Sequence, residues 1–186
     1  MTRPSFVLTE NSTIPDAAQL DADAFLQAMR SVAASVTVVT TDGPGGRAGA
    51  TVSSFTSVSV APPTVLVCLA TESRIARAVR ENGRFTVNVL STAMSDLAVT
   101  FSGRGEARPE DGPAVEPADR FEGVDWYAHE DGSPIIRGAG AFVCRLEKTT
   151  VVATHDVCFG RVEAIDGDGA PPLAYLDRAF SRVVSI

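Results

Sequence analysis

The stretch Gly49-Ala50-Thr51-Val52-Ser53-Ser54-Phe55 is the point around which the predicted fold is organised. It consists mainly of small and hydroxyl-bearing residues and lies between two β-branched runs, Val36-Thr37-Val38-Val39-Thr40-Thr41 and Val58-Ser59-Val60. These runs predict strands on both sides of it. Small residues let the backbone approach a flat ligand, and hydroxyl groups supply directional hydrogen bonds. The same composition is also typical of an ordinary strand edge, so both interpretations stand at this point.

The glycine-rich turn before this stretch imitates a dinucleotide-binding motif. Gly43-Pro44-Gly45-Gly46-Arg47-Ala48 matches G-x-G-x-x-A directly after a strand, which is the fingerprint of a Rossmann unit. That motif requires a helix to begin at once, so that the helix N-terminus can meet a pyrophosphate. The residues that follow instead prefer strands, among them Thr51, Val52 and Thr56. The sequence therefore predicts a hairpin turn here and not a Rossmann site.

Short strands and a few helices make up the rest of the predicted fold. Strands are predicted over 64–69, 84–90, 141–152, 157–165 and 173–176, the first buried on both faces and the last closing the fold. Helices are predicted over 22–32 after Asp21, over 74–81 after Ser73, and from Ser91 through Phe101. Without βαβ alternation, this order favours a mainly β fold, an antiparallel barrel with helical decorations.

Domain organisation is predicted from the same pattern. Residues 20–186 form one domain, residues 1–19 form an N-terminal arm, and the Gly- and Pro-rich stretch 102–119 is a mobile loop. On the first helix, Phe25, Met29 and Val32 share one face and are predicted to point into the core.

Composition excludes several classes of function. The 186 residues carry a formal net charge of −7, which argues against sequence-independent binding to nucleic acid. No apolar run is long enough to span a bilayer and no signal peptide is evident, so we expect a cytoplasmic protein. The three cysteines are scattered singly, which predicts reduced thiols and no metal site. A G-x-S-x-G nucleophile motif is also lacking.

The strongest anion site in the sequence is the start of the second helix. A buried strand ends just before Ser73, whose hydroxyl can cap the helix, and Arg74 follows at once. A capped helix with a solvated arginine explains the same residues equally well. Together with the small-residue stretch, however, this site suits a ligand that has a flat heteroaromatic head and a phosphate tail.

Several blocks, taken in their order, resemble the short-chain flavin reductase family, the reductase components of two-component flavin-dependent monooxygenases. The resemblance covers about residues 22–183. The blocks are Val36-Thr37-Val38-Val39-Thr40-Thr41, Gly49-Ala50-Thr51-Val52-Ser53-Ser54-Phe55-Thr56-Ser57-Val58-Ser59, Pro62-Pro63-Thr64-Val65-Leu66-Val67-Cys68-Leu69, Gly83-Arg84-Phe85-Thr86-Val87-Asn88-Val89-Leu90, Phe121-Glu122-Gly123-Val124-Asp125-Trp126, His155 with Phe159-Gly160-Arg161-Val162, and Pro172-Leu173-Ala174-Tyr175. This resemblance implies an antiparallel Greek-key split β-barrel of the FMN-binding type.

The resemblance also implies a set of site residues. Flavin contacts carry over to Gly49, Ala50, Thr51, Ser53, Ser54, Cys68, Leu69, Ala70 and Phe101, and phosphate contacts to Ser73 and Arg74. The family's Gly-Asp-His motif, where the nicotinamide docks, reads Ala153-Thr154-His155 here. The catalytic role implied for His155 is therefore a nicotinamide contact, and the changed neighbours put the affinity for the dinucleotide in question.

The implied function is an NAD(P)H:flavin oxidoreductase that passes a hydride to FMN or FAD and supplies reduced flavin to a monooxygenase. Two alternatives use the same scaffold: a flavin-bound oxidase or monooxygenase, and a flavin-binding protein without catalysis. The sequence leaves FMN against FAD and NADH against NADPH open. The family also implies a homodimer.

Overall fold

A computed structural model describes residues 21–103, 119–167 and 169–184 of the chain. Its three helices are α1 (Ala22–Met29), α2 (Arg74–Asn82) and α3 (Ser95–Ser102). Its strands are β1 (Ala34–Ser35), β2 (Thr37–Thr41), β3 (Ala48–Val52), β4 (Thr56–Val60), β5 (Pro63–Ala70), β6 (Arg84–Val89), β7 (Trp126–Ala128), β8 (Pro134–Ile136), β9 (Gly140–Val152), β10 (His155–Asp166), β11 (Leu173–Leu176) and β12 (Ala179–Arg182). The expected mainly β fold is confirmed.

A seven-stranded antiparallel sheet is the centre of the fold, with the order β3-β2-β6-β9-β10-β5-β4. Its two edges, β3 and β4, are consecutive in the chain and only three residues separate them. Laid flat, the sheet would hold these edges about 29 Å apart, whereas the linking backbone spans at most about 14 Å. The sheet must therefore roll until its edges approach each other, which produces a barrel open along one seam, as a split barrel requires.

Two large hydrophobic clusters and a small third one are found among the described residues of the rolled sheet and its surroundings. The first packs α2 against the strands and includes Val67, Val79 and Phe85. A side chain at Gly160 would bring its Cβ to 2.5 Å from the Phe85 ring, so the glycine makes room for that ring. The second cluster lies under α3 and includes Phe101. Three-stranded β1-β11-β12 and two-stranded β7-β8 sheets accompany the barrel.

The glycine-rich turn is a hairpin between β2 and β3, as predicted. Asn82, at the end of α2, holds this turn: its Oδ1 accepts a hydrogen bond from Gly45 N at 2.7 Å, and its Nδ2 donates to Gly46 O at 3.1 Å. The same Nδ2 donates to Thr41 Oγ1 at 3.0 Å. A buried amide of this kind must be hydrogen-bonded, and here it fixes the turn that leads into β3. No helix begins there, which rules out the Rossmann interpretation.

The prediction for α1 is half right. Asp21 caps the helix by accepting from Asp23 N at 3.2 Å, but the helix ends at Met29. The predicted core-facing stripe is wrong: Phe25 is 54% exposed and Val32 52% exposed. No residue of α1 is buried, so no described element covers this face.

Three further predictions need correction. Strand β5 alternates between buried and half-buried residues and is not buried on both faces, since its outer face lines a cleft. Helix α3 begins at Ser95, because Ser91 instead forms a bridge with Pro172. The strand over 173–176 is followed by β12, which pairs with it as a hairpin.

Two predicted segments, the arm over 1–19 and residues 104–118 of the predicted loop, lie outside the described residues. Among the helices that are described, none is both long and apolar enough to cross a bilayer.

Candidate functional site

A cleft opens at the seam of the barrel, where β3 faces β5 across the gap. We call it the seam cleft. It has a volume of about 390 Å³. Its lining residues are Ala50, Thr51, Val52, Ser53, Ser54, Cys68, Leu69, Ala70, Ser73, Ile75 and His155. Because β3 is an edge strand, alternate backbone N–H and C=O groups point away from β2. The seam cleft therefore combines small side chains with backbone hydrogen-bonding groups.

Hydrogen bonds fix the wall that β3 and β5 form. Ser54 Oγ accepts from Cys68 N at 2.9 Å and donates to Cys68 O at 3.0 Å, which bridges the seam. Thr51 Oγ1 donates to Ala98 O on α3 at 2.7 Å. Both hydroxyls thus already have a partner within the protein, whereas the exposed Ser53 hydroxyl has none among the described residues. The hydroxyls of Thr51 and Ser54 chiefly hold the wall in place.

A second cavity, of about 260 Å³, adjoins the seam cleft and carries three arginines. We call it the arginine pocket. It is lined by Arg47, Ala48, Gly49, Ala50, Ser73, Arg74, Ile75, Asp119, Arg120 and Phe121. The two cavities share Ala50, Ser73 and Ile75. Ser73 caps α2 by accepting from Ala76 N at 3.2 Å, so the helix N-terminus faces both cavities.

The arginines of this pocket are held in place by their neighbours. Arg47 lies over the rings of Phe121 and Trp126, at 5.0 and 4.9 Å from their centroids. It also pairs with Asp119 at 2.8 Å, and Arg74 Nη2 donates to Arg47 O at 3.1 Å. The backbone N–H of Phe121 and the Arg47 guanidinium lower the pKa of Asp119, so its carboxylate is ionised at neutral pH. Three guanidinium groups against one carboxylate leave the pocket cationic.

His155 closes the seam cleft on the side opposite β3. It is the first residue of β10, pairs with Ala70 of β5, and is exposed. Its Nδ1 lies 3.0 Å from Thr154 Oγ1. The preceding turn holds Ala153 at φ 50°, a left-handed conformation that favours glycine. This conformation explains why a glycine suits the first position of the Gly-Asp-His motif. Ala153 adopts the same backbone although its Cβ makes that conformation less favourable.

Comparison with known proteins agrees with this architecture. The family model described as flavin reductase like domain matches residues 29–183. The chain is 41% identical over 175 residues to the FMN reductase (NADH) RutF of Ancylobacter novellus, covering 93% of this chain and 91% of that protein.

The chain belongs to the flavin reductase family.

Two solved structures share the fold. Nitrilotriacetate monooxygenase component B from Mycobacterium thermoresistibile superposes with a TM-score of 0.77 at 27% identity, over 90% of this chain and 89% of the other. The NADH:FAD oxidoreductase of Streptomyces globisporus, in complex with NAD and FAD fragments, gives a TM-score of 0.76 at 26% identity, over 88% and 93%. The expected split-barrel fold and the expected NAD(P)H-dependent flavin reductase are both confirmed.

The flavin reductase brings together nearly all the residues predicted for its site. The seam cleft contains Ala50, Thr51, Ser53, Ser54, Cys68, Leu69, Ala70, Ser73 and His155, and the arginine pocket contains Gly49 and Arg74. Phe101 is the exception, because it is fully buried and lines neither cavity. A Cβ on Gly49 would lie 2.6 Å from the Phe101 ring. Phe101 therefore packs against β3 at Gly49 and does not line the cleft.

Sequence reasoning missed two residues of the arginine pocket, Arg47 and Arg120. Arg120 Nη1 donates to Phe101 O at 3.0 Å and to Gly49 O at 3.3 Å. Arg47 lies within the misleading glycine-rich motif, and no local pattern marks Arg120. The aromatic residues of the block 121–126, on which Arg47 stacks, were the one available signal.

The cysteines give the flavin reductase no reactive thiolate in the core. Burial raises the pKa of Cys144 to about 12 and that of Cys158 to about 11, so both are protonated at neutral pH. Cys68 lines the seam cleft. Within the described ranges, no three His, Cys, Asp or Glu residues are grouped to hold a metal ion.

Proposed function

We propose that the seam cleft and the arginine pocket form one flavin site, with the isoalloxazine ring in the first and the phosphate in the second. The observation that carries this proposal is that the two cavities are neighbours with three lining residues in common, Ala50, Ser73 and Ile75. A flat ring needs a wall without large side chains, which β3 supplies. A phosphate needs guanidinium groups and a helix N-terminus, which Arg74 and Ser73 supply. The residues thus fit the cofactor class that the family implies.

When bound, flavin supplies the redox chemistry by accepting a hydride from nicotinamide. The protein's own contribution is binding and orientation. The outward N–H groups of β3 would favour negative charge on a bound flavin ring, and His155 would contact the nicotinamide. Ser73, Arg74 and Arg47 hold the phosphate. No side chain is required as a proton donor.

FMN and NADH are the proposed preferred pair, since the relative from Ancylobacter novellus is named an FMN reductase (NADH). The proposed partner is a flavin-dependent monooxygenase that receives the reduced flavin in the cytoplasm. We also propose a homodimer, in which the exposed apolar face of α1 (Phe25, Leu26, Met29) is covered by the second copy. Sedimentation equilibrium tests the dimer independently of catalysis.

The direct test mixes the purified protein with NADH or NADPH and with FMN, FAD or riboflavin. We expect flavin-dependent loss of nicotinamide absorbance, fastest with NADH and FMN. Absence of turnover with every pair would overturn the proposed function. Tight flavin retention without NAD(P)H turnover would instead favour the oxidase alternative, and bound flavin without any redox turnover would favour a binding protein.

A charge variant tests where the phosphate lies. Arg74→Gln should weaken FMN binding by about tenfold or more, because a charge-assisted hydrogen bond contributes roughly 1.5–3 kcal/mol. Binding of riboflavin, which lacks the phosphate, should be unchanged. Arg137→Gln is the matched control, since Arg137 pairs with Asp125 on the surface and lines neither cavity. Equal losses for FMN and riboflavin would contradict the placement.

A further inference from the structure

Directly after His155 lies a carboxylate that lines neither the seam cleft nor the arginine pocket. The Asp156 side chain is fully buried, and it pairs with Arg80 of α2. Its Oδ1 also accepts a hydrogen bond from Thr71 Oγ1 at 2.8 Å. Burying a carboxylate is costly unless it is paired and hydrogen-bonded. The ion pair and the hydrogen bond offset this cost, and they join α2, the residue after β5 and the start of β10.

Asp156 is fully buried and is not among the residues that line the seam cleft. Successive residues of a strand point to opposite faces, and β10 follows this rule: His155 is exposed on the cleft side and Asp156 is buried on the inner side. The two partners on β5 differ in the same way, because Ala70 opposite His155 is exposed and Leu69 opposite Asp156 is buried. Any effect of Asp156 on the reaction must therefore pass through the backbone of its strand.

That backbone is tied to the flavin side of the cleft. Thr71 N donates to Thr154 O at 3.0 Å, so the residue that binds Asp156 also binds the turn before His155. Arg80 belongs to α2, the helix whose first residues border both cavities. Asp156, Arg80 and Thr71 thus link the helix at the phosphate end of the site to the hairpin that carries His155.

We propose that Asp156 and Arg80 are positioning residues that set the distance between the His155 hairpin and the flavin site, and so determine nicotinamide affinity. The proposal rests on the function proposed above. It follows that breaking the pair loosens one wall of the cleft and leaves the other intact, because the β3–β5 wall has its own bridge at Ser54 and Cys68. Small misplacements of a positioning group lower rates strongly.

The test compares Asp156→Asn, Arg80→Gln, the double variant and the milder Thr71→Val with the wild-type enzyme. We expect KM for NADH to rise by about tenfold or more in the first two, with the Kd for FMN within about twofold of wild type because the β3–β5 wall is untouched. The double variant should be no worse than either single change. Asp125→Asn, which removes an exposed partner of Arg137, is the control and should leave both constants unchanged.

Amide hydrogen exchange provides a readout that needs no turnover. In Asp156→Asn the Thr71 amide should exchange faster, while the amides of β3 and β6 keep their protection. A rise in KM and Kd together, or no change in either, would overturn the positioning role. If Asp156→Asn does not fold, Thr71→Val carries the same comparison. Lack of NADH oxidation by the wild-type protein would instead refute the proposed function. Unaltered exchange at Thr71 in Asp156→Asn would separately refute the link between Asp156 and the His155 hairpin.

Discussion

The two walls of the seam cleft are built by opposite means. The β3–β5 wall is bridged by the paired hydrogen bonds between Ser54 and Cys68, and Thr51 of β3 ties it to α3 by donating to Ala98 O. The β10 wall is an exposed hairpin tip that carries His155, with Ala153 in a left-handed conformation. Beneath this tip, the buried Asp156 anchors it by binding Arg80 and Thr71.

This difference suggests a separate task for each wall: the first binds the flavin, and the second positions the nicotinamide. A wall in which the hydroxyls of Thr51 and Ser54 already have partners keeps its shape whether or not a ring lies against it, which favours binding of one flat ligand. A hairpin tip with few packing contacts responds more readily to changes beneath it. We therefore expect changes on the first wall to act on flavin affinity and changes on the second to act on nicotinamide kinetics.

The largest effect is expected from Ser54→Tyr. The phenol ring would occupy the seam cleft and break both hydrogen bonds to Cys68, so flavin affinity should fall by about a hundredfold or more. Fluorescence titration of FMN measures it. Ser54→Ala is the matched control: it loses the hydroxyl but keeps the space, and should cost about 1 kcal/mol of stability with little loss of affinity. Unchanged FMN affinity in Ser54→Tyr would refute the placement of the ring.

Gly49→Ala tests how tightly the same wall is supported from behind. The added Cβ would lie 2.6 Å from the Phe101 ring and 3.3 Å from Phe121, and overpacking of this kind costs about 1–3 kcal/mol. Urea denaturation should show this loss. Combining it with Phe101→Leu should recover part of the stability. A fully additive double variant would show that Phe101 is not the obstacle.

Much of this first wall could be predicted from the sequence because its signals are local. The β-branched runs predict the strands, and Ser73 with Gly83 marks both ends of α2. The contacts that complete the site are long-range: Arg47 meets Asp119 across 72 positions, and Arg80 meets Asp156 across 76. The exposure of Phe25 on α1 likewise depends on which elements close the core. No periodicity within a single segment carries such information.

His155→Ala should have a moderate effect confined to the second wall. Loss of the ring should raise KM for NADH several-fold, up to about tenfold, while the Kd for FMN stays near wild type because His155 is exposed at the far side of the cleft. Steady-state kinetics at saturating FMN measure it. His129→Gln changes the other histidine, which lies beside Asp131 and away from both cavities, and serves as the control. An equal loss of FMN affinity in His155→Ala would erase the distinction between the walls.

The smallest effect is expected from Ala153→Gly, which changes only the backbone of the hairpin tip. A non-glycine residue in the left-handed region costs roughly 1–2 kcal/mol, and glycine would remove that cost at φ 50°. Glycine also loses more entropy on folding, by about 0.4–1 kcal/mol, so the net gain should be about 0.5 kcal/mol. Urea denaturation at constant m-value measures it. Thr154→Gly is the control, because Thr154 is not among the residues with positive φ and its replacement should only destabilise. If both glycine variants lose stability alike, the hairpin tip is unstrained. The buried Asp156 would then be the one remaining feature that distinguishes this hairpin from the β3–β5 wall.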